Sequence, residues 1–291
     1  MKFGVSLFVT DYSIPPAEAA KAAEDAGLES IWFPEHTHIP TETIFPMGDG
    51  SVPRDYKCLM DPFISLAAAA SVTKTIMLGT GVCLIIQRDP LTLAKEVATL
   101  DVISNGRVIL GVGAGWNEPE MRNHGTDPEH RFKVMRERVE ALKVLWTQEE
   151  ADYEGETLAF GPVWSYPKPV QRPHPKVIIG GAGPNIVKRV VGYGDGWMPI
   201  AGQLPFEAMA ATIAEMRRLA WETGRPDPEV SVFGVPADPE GIEKWAQAGV
   251  DRAIWGLPSA DAATVLPIIA QHGAAVAAYR ASKGDDVLAS R

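Results

Sequence analysis

The chain has 291 residues, of which 46% are hydrophobic and 22% are charged, and its formal net charge is −10. This acidic balance argues against nucleic acid and against an anionic membrane surface as the main partner, because both attract basic surfaces. The first apolar run is too short for a signal peptide, and no stretch approaches the ~20 apolar residues of a membrane-spanning helix. The two cysteines, Cys58 and Cys83, lack a CxxC spacing, so we expect a soluble cytoplasmic protein with two free thiols.

Eight short apolar runs alternate with longer segments of helical character. In chain order they are FGVSLFV from Phe3, SIWF from Ser30, IMLGTGVCLI from Ile76, RVILGVGAG from Arg107, KVIIGG from Lys176, GWMPI from Gly196, VSVFGV from Val230 and RAIWGL from Arg252. These runs are apolar throughout rather than alternating, which is typical of parallel strands that are covered on both faces. We therefore predict eight buried parallel strands.

The helical segments between these runs carry recognisable start signals. An aspartate before a proline supplies an N-cap acceptor ahead of the first helical position. The segment after Arg131 has apolar residues at intervals of three and four, which predicts an amphipathic helix, and a last helix is predicted from near Asp261 toward Tyr279. The predicted cap pairs are Asp61-Pro62, Asp89-Pro90 and Asp238-Pro239, with Gly183-Pro184 as a variant.

Eight strand–helix units without a long break predict an α/β fold of the (β/α)8 TIM-barrel type. A doubly wound open sheet is the alternative. We expect one domain over residues 1–281 and a flexible tail at 282–291. Three connections are longer than the fold needs, and they predict insertions after strand two (37–61), after strand four (116–130) and before strand five (148–175). The last of these contains DYEGETLAF, which predicts a small hairpin.

The pair of histidines after strand two raises the possibility of a metal site. His36 and His38 have the HxH spacing that chelates a metal in some barrel hydrolases, but such sites need further ligands from other strand ends. The remaining four histidines stand in loops, in the last helix, or at the entry of a strand: His124, His130, His174 and His272. The chain therefore predicts no bound metal.

The carboxyl ends of the strands are where barrel active sites form. Strand two ends at Glu35-His36, and no Ser, Cys or Lys stands at a strand end as a nucleophile with a base beside it. Glycine-rich backbone lets a flat ligand or a phosphate approach closely, although glycine at a helix start often only makes a turn. Glycine at three strand ends favours a cofactor-binding mouth. These residues are Gly81 and Val82 after strand three, Gly113, Ala114 and Gly115 after strand four, and Gly181, Ala182 and Gly183 after strand five.

Three longer motifs carry a family resemblance. The stretch GTGVCLIIQRDPLTLAKEVATLDVISNGRVILGVGAGWNEPEM, with PKPVQRPHP and GDGWMP, strongly resembles the luciferase-like oxidoreductases, and specifically the branch that uses the deazaflavin coenzyme F420. The resemblance is close over roughly the first two hundred residues and looser beyond them. It implies a (β/α)8 barrel, in agreement with the strand count, and in relatives a homodimer is common.

The resemblance also implies roles for single residues. It implies that His36 lies beside the reactive ring and is catalytic, and that Glu35 orients His36 or contacts the cofactor. It further implies a non-proline cis peptide at Gly81-Val82 behind the ring, and Gly181 to Gly183 as the loop that receives the cofactor's tail and phosphate. Ala114 stands where the FMN-using luciferases have a phosphate-binding arginine, which favours F420 over FMN.

The expected reaction is hydride transfer between F420 and an unidentified small organic substrate, with His36 giving or taking the accompanying proton. We expect His38, Trp116 and Asn117 to form the substrate pocket. Two alternatives remain open. One is an FMN-dependent monooxygenase that works with a separate flavin reductase, and the other is a barrel that binds the cofactor without turnover.

Overall fold

Eight parallel strands close into a barrel, which confirms the predicted (β/α)8 fold and excludes an open sheet. The computed structural model describes residues 1–284. The first and last barrel strands join through six paired residues, from Lys2 with Arg252 to Leu7 with Leu257. The barrel strands are β1 (Lys2–Leu7), β2 (Ser30–Phe33), β3 (Met77–Thr80), β4 (Val108–Val112), β7 (Lys176–Gly180), β8 (Gly196–Met198), β9 (Glu229–Phe233) and β10 (Arg252–Leu257).

The helices begin largely where the sequence predicts. The side chains of Asp61, Asp89 and Asp238 each accept a hydrogen bond from a backbone N–H of the helix that follows, as does that of Asp261. The helices are α1 (Pro16–Asp25), α2 (Arg54–Lys57), α3 (Pro62–Val72), α4 (Pro90–Ser104), α5 (Glu118–Asn123), α6 (Arg131–Thr147), α7 (Ile186–Tyr193), α8 (Phe206–Glu222), α9 (Pro239–Gln247) and α10 (Ala262–Ser282).

Three sequence-based boundaries need correction. The prediction that Gly183-Pro184 starts a helix is wrong, because α7 begins at Ile186 with Asn185 at its N-cap, and the Ile186 N–H donates to the Gly183 carbonyl across a turn at 3.0 Å. Only part of the third apolar run, IMLGTGVCLI, forms a strand, because β3 ends at Thr80. Of the predicted tail 282–291, Ser282 is the last residue of α10, and residues 285–291 lie outside the described part of the chain.

The three long connections are insertions, as predicted. The connection after β2 contains the single-turn helix α2, and the connection after β4 contains α5. The connection before β7 carries an antiparallel hairpin formed by β5 (Ala151–Glu154) and β6 (Ala159–Val163). The first two insertions follow strand ends, so they stand at the mouth of the barrel, whereas the hairpin precedes a strand.

Two layers of apolar side chains build the core. One fills the barrel interior with residues such as Trp32, Ile109, Ile178 and Ile254, and the other joins the outer strand faces to the helices. Helix α10 is long and apolar enough, by length and composition, to cross a membrane. Its residues Val265, Ile269 and Val276 are buried in the outer layer of the barrel, and 28% of its most apolar 18-residue stretch is buried in all.

A charged cluster closes the amino-terminal end of the barrel. The Arg252 guanidinium, whose side chain is only 1% exposed, donates to both carboxylate oxygens of Glu29 at 2.8 and 2.7 Å and also to Glu229. Lys176 reaches Glu229 at 2.7 Å. Burial alone would raise the pKa of Glu229, yet Arg252 together with Lys176 and Lys2 holds it at about 2. This cluster lies opposite the mouth and serves stability.

We expect Glu229→Gln to lower the free energy of unfolding at pH 7 by about 3 kcal/mol. Because the pKa of Glu229 is lower in the folded chain than in the unfolded chain, its stabilisation is complete above about pH 5 and is lost as the pH falls toward 2. Urea unfolding between pH 3 and pH 7 measures this difference. Glu42→Gln, at an exposed position, is the control, and an equal loss in both variants would contradict the assignment.

Candidate active site

A cavity of about 550 Å³ opens at the carboxyl ends of the barrel strands. Eleven of the residues selected from the sequence line it, and they come from four strand ends that are far apart in the chain. They are Glu35, His36, Gly81, Val82, Gly113, Ala114, Gly115, Trp116, Gly181, Ala182 and Gly183. The strand order places the end of β2, with His36, nearly across the mouth from the end of β7, with Gly181 to Gly183.

The imidazole of His36 forms a pair with a carboxylate from another insertion. Its Nδ1 lies 2.8 Å from Oε2 of Glu120, which stands on α5 and is fully buried. The second oxygen of Glu120 has no hydrogen-bond partner in the described chain. A carboxylate at Nδ1 holds the proton on that nitrogen, so Nε2 is the ring nitrogen that remains for a ligand. Glu120, not Glu35, therefore orients His36.

The carboxylate of Glu35 is engaged on both oxygens. Oε2 accepts the backbone N–H of Leu84 at 2.7 Å, and Oε1 accepts Nε of Arg88 at 2.6 Å. The same guanidinium also reaches Asp61 at 2.5 Å and Glu96 at 3.0 Å. Arg88 thus forms ion pairs with three carboxylates, and Glu35 ties the end of β2 to the segment that follows β3.

The floor of the cavity is shaped by a cis peptide bond between Gly81 and Val82, which confirms the bond that the family resemblance implies. The Val82 side chain fits between two glycines of neighbouring strand ends. A Cβ on Gly113 would come within 2.7 Å of one Val82 methyl group, and a Cβ on Gly180 within 2.9 Å of the other. These glycines are required by the close approach of Val82.

Aromatic rings surround His36. The ring centroids of Tyr56 and Trp116 lie 5.5 and 5.6 Å from that of His36. Tyr56 also contacts Phe8 at 5.0 Å and Phe45 at 4.9 Å. Phe45 and Tyr56 belong to the insertion after β2, and Trp116 begins the insertion after β4. The two insertions therefore meet in one apolar wall beside His36.

The opposite end of the cavity is positively charged. Arg189, on α7, lines the cavity and lies over the Phe132 ring at 3.6 Å, and Arg131 lies over the same ring at 4.7 Å. Neither arginine forms an ion pair in the described chain. Burial lowers the pKa of Arg189, and the neighbouring Arg131 adds to the effect. The unpaired guanidinium group of Arg189 beside Gly183 favours an anionic ligand there.

Two residues predicted for the substrate pocket, His38 and Asn117, do not line the cavity. Asn117 is buried, and its side-chain oxygen accepts from Thr43 at 3.2 Å. His38 is exposed and contacts Thr37 and Asn123 at 2.9 and 3.0 Å. The two histidines of the HxH motif diverge because the chain leaves the strand after Phe33.

No group of three or more His, Cys, Asp or Glu side chains has a metal-binding arrangement within residues 1–284.

The sequence analysis does not identify three residues of the site, which are Glu120, Tyr56 and Arg189. Glu120 lies inside the WNEPEM motif, which offers a signal. Tyr56 and Arg189 have no local signal, because only the folded chain brings them to the mouth.

The fold and the site together define a barrel whose mouth suits a flat cofactor with an anionic tail. The chain belongs to the luciferase-like monooxygenase family, whose model matches residues 14–281. A solved structure, an F420-dependent secondary alcohol dehydrogenase in complex with an F420-acetone adduct, shares the fold with a TM-score of 0.76. The similarity covers 96% of this chain and 100% of the other at 21% identity.

Relatives with related sequences point to more than one cofactor. An uncharacterized protein of Mycobacterium tuberculosis is 41% identical over 267 residues, which are 90% of this chain and 94% of the relative. The oxygenase component of a flavin-dependent trigonelline monooxygenase from Acinetobacter baylyi is 34% identical over 58% of this chain and 43% of its own length. An F420-dependent glucose-6-phosphate dehydrogenase from Kineococcus radiotolerans is 32% identical over 64% of this chain and 52% of its own length. The chain thus spans about half the length of the two relatives with a named activity.

We expect Arg88→Met to lower the free energy of unfolding by about 3–5 kcal/mol, because it leaves the buried Glu35 carboxylate without a counter-charge. Adding Glu35→Gln should recover part of the loss, since a buried amide needs no counter-ion. Chemical denaturation of the single and double variants measures the coupling. Arg122→Met removes an exposed pair with Glu118 and should cost less than about 0.5 kcal/mol. An equal loss at both arginines would contradict the role of Arg88.

Proposed function

We propose that the protein is an F420-dependent oxidoreductase that transfers a hydride between the deazaflavin and a small organic substrate. The proposal rests on one observation, which is that the two ends of the cavity carry different chemical groups. A histidine–carboxylate pair stands at one end, the unpaired Arg189 stands at the other, and glycine-rich strand ends lie between them. The resemblance to the F420 branch and the relative named as an F420-dependent dehydrogenase support the same cofactor.

The residues present fit this cofactor. Gly181 has a φ of +96°, and a Cβ added there would meet nothing within 4 Å, so the space in front of this loop is open. A Cβ on Gly183 would meet Nη1 of Arg189 at 3.7 Å. Gly181 to Gly183 and Arg189 would hold the phosphate and the anionic tail, and Gly81, Val82 and Gly113 to Gly115 would support the ring. A bound deazaflavin supplies a carbon centre that accepts or donates the hydride.

The protein's own part in the reaction is proton transfer and positioning. In the proposed mechanism, Nε2 of neutral His36 accepts the proton of a substrate hydroxyl group, and protonated His36 returns it to a carbonyl oxygen in the reverse direction. The Glu120 carboxylate stabilises the imidazolium form through Nδ1. Glu35 acts through the Leu84 backbone N–H, which fixes the segment after Val82 that supports the cofactor ring.

FMN is the alternative cofactor, and the similarity to a flavin-dependent relative supports this alternative. Ala114 argues against FMN, because it leaves this strand end without the arginine of the FMN-using luciferases. Arg189 and Arg131 would accept the phosphate of either cofactor, so binding has to be measured. A cytoplasmic location, a homodimer and the absence of nucleic-acid or membrane partners stay predictions from the sequence.

We expect F420 to bind and FMN to bind at least tenfold more weakly in parallel fluorescence titrations of the purified protein. Arg189→Met should weaken F420 binding by about tenfold and reduce its salt dependence, because an unscreened cation near the anionic tail is lost. Arg218→Met, at an exposed arginine paired with Glu215 and Glu222, is the control. Tight FMN binding without F420 binding would refute the proposed cofactor.

We expect His36→Gln to lower the rate of F420-linked turnover by about 10²–10⁴-fold, the usual effect of losing a general acid or base. F420 affinity should stay within a few fold of the parent protein. Glu120→Gln should lower turnover less, because the amide oxygen can still accept a hydrogen bond from Nδ1 and orient the ring. Unchanged turnover in Glu120→Gln, measured by stopped flow, would remove Glu120 from the mechanism.

A further inference from the structure

We infer that the substrate is an uncharged alcohol or carbonyl compound with an apolar body, and that Tyr56 donates a hydrogen bond to its oxygen. This inference rests on the proposed function, because the cofactor then occupies the end of the cavity near Gly183 and leaves the end near His36 to the substrate. It adds a substrate class and a specificity-determining residue to the oxidoreductase.

The first step concerns charge. Of the residues that line the cavity, Glu35 and Arg189 carry fixed charges. Arg88 forms an ion pair with Glu35 from outside the cavity, and Arg189 lies at the cofactor end. A substrate carboxylate or phosphate beside His36 would therefore meet no free cation and would lose its hydration without compensation.

The second step concerns a substrate cation. Aromatic walls also attract cations, but neither nearby carboxylate is open to a cation in the cavity. Glu35 is paired with Arg88. Glu120, whose Oε1 has no hydrogen-bond partner in the described chain, is fully buried behind His36 and does not line the cavity. An ammonium group would gain ring contacts without a free carboxylate, so the uncharged ligand is favoured.

The third step concerns Tyr56. Tyr56 lines the cavity, its hydroxyl group forms no hydrogen bond within the described residues, and its ring contacts those of Phe8 and Phe45. Burial raises the pKa of Tyr56, with a contribution from Asp55, so the phenol keeps its proton at neutral pH. The hydroxyl group is a free donor on a fixed ring whose centroid lies 5.5 Å from that of His36.

These steps define a two-point site. A substrate oxygen placed between Nε2 of His36 and the Tyr56 hydroxyl group meets one group that exchanges a proton and one that donates a hydrogen bond. The carbon body then contacts Phe8 and Trp116, where burial of apolar surface favours binding. Each added methylene group should improve kcat/KM about three- to fourfold until this end of the cavity is filled.

The test uses ligand-observed NMR and calorimetry on the protein saturated with F420. The probes are acetophenone, 4-acetylbenzoate and 4-acetylbenzylamine, which differ in charge, and ethylbenzene, which lacks the oxygen. Acetophenone should bind saturably and at least tenfold more tightly than either charged probe. Tighter binding of a charged probe, or no saturable binding of acetophenone, would overturn the substrate class.

The role of Tyr56 has its own readout. Tyr56→Phe should weaken acetophenone binding about three- to tenfold, the effect of one neutral hydrogen bond, and leave ethylbenzene binding unchanged. Tyr166→Phe, at an exposed tyrosine outside the cavity, should change neither. An equal loss for both probes in Tyr56→Phe would show a packing role and overturn the hydrogen bond.

The results of these probe-binding tests can be told apart from the results that test the proposed cofactor. The ratio of neutral to charged probes is also measurable on the protein alone or with FMN. A protein that fails to bind F420 but prefers acetophenone loses the proposed cofactor and keeps the inferred pocket. A protein that binds F420 but prefers 4-acetylbenzoate keeps the cofactor and loses the inferred pocket.

Discussion

Closure of the parallel sheet is the constraint on which the site depends. Because β1 pairs with β10 and all eight strands run the same way, every strand delivers its carboxyl end to one mouth. His36, Val82, Gly115 and Gly183 are thereby brought into one cavity from positions spread over half of the chain. The buried ion cluster around Arg252 lies at the other end of the barrel, away from the cavity.

Much of this arrangement could be predicted from the sequence, because its signals are local. Apolar runs give the strands, Asp-Pro pairs cap the helices, and the glycines mark where backbone must pass close to a neighbour, as Gly113 and Gly180 do around Val82. The partner of His36 could not be predicted from the same pattern. Glu120 is 84 positions away, and no local preference specifies which carboxylate a histidine will meet. His38 was expected in the pocket only because it stands two residues from His36.

The negative side chains at the cavity and the positive side chain at its other end differ in whether they have partners. Its negative side chains have partners, since Glu35 is held by Arg88 and Glu120 faces His36. Its positive end does not, since Arg189 contacts the Phe132 ring and forms no ion pair within the described residues. A half-buried cation without a counter-charge is unfavourable for folding alone. The arrangement is understandable if an anion completes it, and this is why a phosphate-bearing cofactor suits that end of the cavity.

The aromatic wall and the glycine floor come from different segments of the chain, so each can change separately during evolution. Phe45 and Tyr56 come from the insertion after β2, and Trp116 comes from the insertion after β4, whereas the glycine floor belongs to the residues that directly follow β3, β4 and β7. The chain therefore encodes its two ligand surfaces in separate segments. Substitutions or length changes within 37–61 can alter the wall while Gly81, Val82 and Gly181 keep their backbone positions. Substrate choice can diversify on such a scaffold while the cofactor is inherited.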